Sequence, residues 1–106
     1  MEKDLKKIAD HYGYEIQSSQ LVEECAELIQ ALNKYRRATL VGQPLADHIK
    51  AIVLENLVEE IADVEIMLEQ VKYLLQIPED ELEAVKFYKI NRTRERMLGK
   101  GSVTIR

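Results

Sequence analysis

The sequence predicts an all-α chain, a four-helix bundle-like unit that oligomerises through helical faces. Apolar residues recur at helical spacing over long stretches, most clearly at Ile49, Ile52, Val53, Leu57, Ile61, Val64, Leu68, Val71 and Leu75. No segment shows the apolar–polar alternation of a half-buried strand. Glycine and proline stand between the periodic stretches, at Gly13, at Gly42 and Pro44, and at Pro78.

The first helix, over about 2–12, carries Leu5, Ile8 and Ala9 at helical spacing and stops at Gly13. The second starts near Ser18 or Ser19, either of which suits a cap, and runs to about Arg37. A loop with Gly42 and Pro44 follows. The third helix is long, about 45–76. Pro78 stands where a first helical position is expected, and PEDELEAV has the acid-rich opening turn that suits a helix N-terminus. The fourth helix ends at Gly99, leaving GKGSVTIR as a tail that pairs as a strand or stays mobile. The domain plan is one all-α domain over 1–98 with a short tail at 99–106, and no linker or low-complexity segment.

A chain of 106 residues, 46% of them apolar, suits one domain with a modest core. No segment approaches the roughly 20 uninterrupted apolar residues of a membrane span. The N-terminus, MEKDLKKIAD, lacks the apolar stretch of a signal peptide. The single cysteine, Cys25, excludes an intramolecular disulfide and suits a reducing cytoplasm. The expectation is a soluble, cytoplasmic protein. The net charge of −4 is unevenly spread: residues 1–85 hold 18 acids and 8 bases, whereas residues 86–106 hold 7 bases and one acid, Glu95. An acidic body argues against a large nucleic-acid footprint. Its basic end suits nucleic-acid binding, an internal charge clamp or a site that needs both signs.

Two stretches place acids in apolar surroundings: LVEECAELIQAL (21–32) and NLVEEIADVEIML (56–68). With about 100° per residue, Leu21, Cys25, Leu28, Ile29 and Leu32 form one apolar arc of the second helix. Glu24 and Glu27 flank it, and Glu23 turns further towards solvent. On the third helix Leu57, Ile61, Val64 and Leu68 form the seam, Glu60 borders it beside Met67, Asp63 lies one step further round, and Glu59 points elsewhere. Each helix thus carries a carboxylate pair three residues apart. Packed side by side, the helices bring these carboxylates together, and such a group needs protons or cations. Oxygen donors select a hard ion, Mg²⁺ or Mn²⁺ rather than zinc. His11 and His48 are not placed to make the Glu-x-x-His motifs of di-iron bundles. An isolated pair of this kind is usually solvated surface; the repetition beside an apolar arc brings metal binding level with that reading.

EECAEL followed by EEIADV resembles the paired EExxE and ExxD signature of MazG-like, all-α nucleoside triphosphate pyrophosphohydrolases. The resemblance covers most of the chain. HYGYEIQSSQLVEECAELIQALNKY is similar to the first helix end and motif helix of short single-domain members, NLVEEIADVEIMLEQV to the second motif helix, and KINRTRERM to the basic final helix. It implies Glu24, Glu27, Glu60 and Asp63 as Mg²⁺ ligands, with Mn²⁺ a substitute, and Glu23 and Glu59 as water-orienting or outer groups. The implied reaction is attack of water on the α-phosphorus of a nucleoside triphosphate, giving monophosphate and pyrophosphate. Glu23 or Glu24 would be the base.

The basic stripe of the fourth helix, Lys86, Lys89, Arg92 and Arg96, with Asn91 nearby, suits phosphate oxygens, Arg as a fork and Lys as a point charge. Its bland alternative is a solvated helix end that complements the dipole. Gln17 and Gln20 are candidates for a base edge, and Tyr12 and Tyr14 for stacking, although aromatics there are more often packing residues. Cys25 is expected as a small core hydrophobe, and His11 and His48 as surface groups. Apolar positions beyond a single seam (Val22 and Ala26, Ala62 and Ile66) predict a homo-oligomer, and the resemblance implies a dimer or tetramer. The alternatives are a phosphoribosyl-ATP pyrophosphohydrolase-like enzyme, whose opening HYGYEIQSSQ does not resemble, and a non-catalytic helical oligomer or adaptor.

Overall fold

The computed structural model describes residues 1–40 and 45–99. Among the described residues the regular elements are all helices, α1 (Glu2–Thr39), α2 (Asp47–Leu74) and α3 (Glu79–Met97), an all-α arrangement. They fall in two compact units, Met1–Leu75, which holds α1 and α2, and a second that begins at Gln76 and holds α3. The loop with Gly42 and Pro44, and tail residues 100–106, lie outside the described residues.

The first two expected helices are one element broken at Gly13, where φ is 85° and ψ 169°. Side-chain-bearing residues essentially never occupy that region. A Cβ added there would meet nothing within 4 Å, so glycine answers a torsional need rather than a shortage of space. The expected cap at Ser18 or Ser19 is absent because the helix resumes directly after Gly13. The Ser18 hydroxyl instead donates to the Glu15 carbonyl at 3.2 Å, as serines inside helices do.

α2 closes at Leu75, whose amide donates to the Val71 carbonyl at 2.9 Å. Gln76 then takes a left-handed conformation, φ 56°, at the position where a helix end favours glycine. Pro78 caps α3 rather than opening it, and its carbonyl accepts from the Leu82 amide at 3.2 Å. Glu79, Asp80 and Glu81 occupy the first turn of α3, where acids complement the helix dipole. Gly99, φ 69°, follows the last turn.

α1 and α2 pack antiparallel. The Gln17 side-chain amide donates to Gln70 Oε1 at 2.7 Å, and the Tyr73 hydroxyl reaches both Asp10 carboxylate oxygens at 2.9 Å. At the other end the Leu45 amide donates to the Ala38 carbonyl at 3.2 Å. The seam follows a heptad period, Gln17, Leu21, Glu24, Leu28, Ala31, Tyr35 and Ala38 on α1 against Val53, Leu57, Glu60, Val64, Met67, Val71 and Leu74 on α2, all buried or half-buried. Full burial of a side chain such as Leu57, Met67 or Val71 contributes about 1.5–3 kcal/mol.

The carboxylates therefore stand differently from the sequence expectation. Glu24 and Glu60 occupy seam positions themselves rather than its border. Cys25, Ile29 and Leu32 are exposed, and Cys25 is not a core residue. Ile61 and Leu68 belong to a second arc of α2, Leu54, Ile61, Leu68 and Leu75, which is 42–49% exposed. A two-helix seam uses only two positions per heptad, fewer than the apolar residues available, so periodicity alone did not separate the arc that meets α1 from the one that does not.

Candidate metal centre

Midway along the hairpin, Glu24 from α1 and Glu60 and Asp63 from α2 each present one carboxylate oxygen within 4.8 Å of the others. All three are half-buried. Helix geometry explains the meeting: the antiparallel register that joins Gln17 to Gln70 sets Glu24, two turns along α1, opposite Asp63, two turns back along α2. Glu60, one turn further back, completes the triangle. Glu24 Oε1 accepts from the Gln20 amide at 2.8 Å, one turn earlier on α1.

Oε2 of Glu24 and Oε2 of Glu60 are buried and accept no hydrogen bond among the described residues. A buried carboxylate oxygen without a protein donor is satisfied by a proton, a cation or a bound water. Glu27 registers the same field. Its pKa is raised from the ordinary 4.5, first by the negative charge of Glu24, then by that of Glu60 and then by desolvation. The donor set, all carboxylate oxygens, fits a hard divalent cation better than a soft one.

The structure thus brings together Glu24, Glu60 and Asp63 and couples Glu27 to the first two. Glu23 and Glu59 are exposed and outside this triangle. Gln20 reaches the site through Glu24, whereas Gln17 is 6% exposed with its amide engaged by Gln70. Gln70 in turn donates to Met67 Sδ at 3.7 Å. Tyr12 and Tyr14 are half exposed, and the His11 ring meets Tyr12 edge-on with 4.7 Å between centroids. Lys86, Lys89, Asn91, Arg92 and Arg96 all lie on α3. Lys86 and Lys89 are exposed, the other three half-buried, and the Arg92 guanidinium carbon is 5.5 Å from the Tyr88 ring centroid.

One feature escaped the sequence reading. Beside the carboxylates, a cavity of about 600 Å³ is lined by Glu27, Asn33, Lys34, Arg37, Asn56 and Glu60, among others. Its signal was present in the spacing, since Glu27, Gln30, Ala31 and Lys34 follow one another on one helical face. None of the described helices is long and apolar enough to cross a membrane. Comparison with protein-family models, with curated proteins and with solved structures gives no match.

Proposed function

We propose that this chain is a Mg²⁺-dependent nucleoside triphosphate pyrophosphohydrolase of the MazG-like kind, converting a (deoxy)nucleoside triphosphate to the monophosphate and pyrophosphate in the cytoplasm. The observation that carries this reading is the meeting of Glu24, Glu60 and Asp63 in the hairpin seam, with two buried carboxylate oxygens that lack a donor. Hydrophobic residues would pack better at Glu24 and Glu60. Carboxylates at such positions weaken the hairpin unless a cation joins them.

Glu24, Glu27, Glu60 and Asp63 would hold the ion. Bound there, Mg²⁺, or Mn²⁺ in its place, supplies neutralising charge to the triphosphate and acidifies water. The Gln20 amide fixes the Glu24 carboxylate. Glu23 or Glu24 accepts the proton of the attacking water as its oxygen bonds to the α-phosphorus. The bond from that phosphorus to the bridging oxygen breaks, and pyrophosphate leaves. On α3, Lys86, Lys89, Asn91, Arg92 and Arg96 are donors of the kind that phosphate oxygens accept from. The Gln17–Gln70 bond sets the register on which the carboxylates depend.

The exposed arc of Leu54, Ile61, Leu68 and Leu75 is read as the face through which copies pair, so that two hairpins make a four-helix bundle in a homodimer or a tetramer of such dimers. Sedimentation that finds only monomer at every concentration would refute this assembly.

The deciding experiment is pyrophosphate release from a panel of ribo- and deoxynucleoside triphosphates with Mg²⁺, alongside Glu24→Gln and Asp63→Asn. Mg²⁺-dependent release that both substitutions abolish supports the reading. Mg²⁺ binding without release across the panel points to a narrower substrate, such as phosphoribosyl-ATP. Loss of both leaves a helical oligomer or adaptor with surface acids.

A further inference from the structure

We infer that the cavity next to the carboxylates is the seat of the substrate's phosphate chain, held by Lys34 and Arg37 of α1, which no part of the sequence reading assigned. This deepens the proposed reading and rests on it for the identity of the ion. The cavity is lined by charges of both signs. Its walls include the acids Glu27 and Glu60 and the bases Lys34 and Arg37, with the neutral amides of Asn33 and Asn56 among the rest. Neither Lys34 nor Arg37 forms an ion pair among the described residues, although acids line the same space. A chelated polyphosphate fits such a lining: its cation needs carboxylates, and its remaining oxygens need donors.

Distances along the helix agree. Lys34 follows Glu27 by two turns, a rise of about 10 Å, and Arg37 by about 15 Å. Side chains on a helix lean towards its N-terminus, so both cations tilt back towards the carboxylates from further along α1. Arg36, the neighbouring base of the last turn, is not among the lining residues. A general attraction of bases to a helix C-terminus would not make that distinction. In the proposed reaction these two residues bind the leaving pyrophosphate, whose negative charge grows as the bond to the α-phosphorus breaks. Neutralising that charge favours the transition state over the bound substrate.

The test is calorimetric titration of inorganic pyrophosphate into the full chain with Mg²⁺, preceded by titration of Mg²⁺ alone. Lys34→Gln and Arg37→Gln are each expected to weaken pyrophosphate binding by about tenfold or more, as loss of a charged hydrogen-bond donor does. Lys34→Arg should retain it, and all three variants should bind Mg²⁺ normally. Both positions face solvent or a cavity rather than the core, and circular dichroism would verify the folding of each variant. Unchanged pyrophosphate affinity in Lys34→Gln and Arg37→Gln, with loss on Lys89→Gln/Arg92→Gln, would overturn this inference and leave the metal reading standing. Failure of the wild type to bind pyrophosphate under any condition would also overturn it. Pyrophosphate binding that depends on Lys34 and Arg37 but needs no Mg²⁺ would keep the cavity as an anion site and sink the metal reading.

Discussion

Glu60→Gln is the substitution whose effect changes sign with the metal. The three carboxylate oxygens lie within 4.8 Å of one another, and at that limit two unit charges repel by about 0.9 kcal/mol in water and about 3.5 kcal/mol at an effective dielectric constant of about 20. Glu24, Glu60 and Asp63 are half-buried, so the lower part of that interval applies, about 1 kcal/mol or slightly more per pair. Glu60 takes part in two of the three pairs of this triangle. Neutralising it without changing its shape should stabilise the metal-free chain by about 2 kcal/mol, or a rise in Tm of about 10 °C for a chain of this size. Salt screens this little, since the Debye length at about 0.1 M is about 10 Å, longer than the pair distances. With Mg²⁺ at about a hundred times its Kd, the wild type gains about 2.7 kcal/mol, and the variant much less. Thermal melts of both proteins in EDTA and in Mg²⁺ would read the crossing directly. A Glu60→Gln protein that melts lower than wild type in EDTA, beside a wild type indifferent to Mg²⁺, would refute the clustered-charge reasoning.

Three further outcomes follow from other parts of the hairpin. Glu27 has a raised pKa in the folded chain, so the native state binds more protons than the unfolded state from about pH 4.5 up through that raised value. The wild type should therefore lose stability relative to Glu27→Gln as pH rises through this window in EDTA, and Mg²⁺ should flatten the difference; melts up to about pH 8 would check it. Gln70→Leu strands the buried Gln17 amide and should cost about 1–3 kcal/mol, whereas Gln17→Leu/Gln70→Leu should be nearly neutral, as urea unfolding would measure. Gly13→Ala should cost about 1–3 kcal/mol through torsional strain alone, since its methyl group meets open space. A Tm equal to wild type would show that the kink is not required.

The helices themselves were legible because the breaks at Gly13, Pro78 and Gly99 coincide with changes in periodicity. The acidic pairs were legible because a repeated motif beside apolar residues is unusual on a plain surface. The depth of Glu24 and Glu60 was not, since a heptad seam and a broader helical arc select different residues from the same apolar stretch, and only pairing with α1 decides between them. Gln17 illustrates the same limit. A glutamine before a motif helix reads as a polar residue open to a ligand, and its burial depends on Gln70, 53 residues away. Lys34 and Arg37 carried no signal in the sequence, because the cavity they share exists only once the opposite wall, with Asn56 and Glu60, is in place.

The polar centre of the α1–α2 seam has a consequence for cooperativity. The hairpin is zipped at one end by Ala9, the Gln17–Gln70 bond and Val71, and at the other by Ala31, Ala38 and Leu57. Between these stretches lie charges that resist closure in the absence of a cation. The metal-free hairpin should then behave as two loosely coupled foldons that open separately, with amide exchange rates differing between its ends. A divalent ion bridging Glu24, Glu60 and Asp63 would act as a rivet across the gap, merging them into one unit that opens only by global unfolding. Ion concentration would in this way govern how far a disturbance at one end of the hairpin travels to the other.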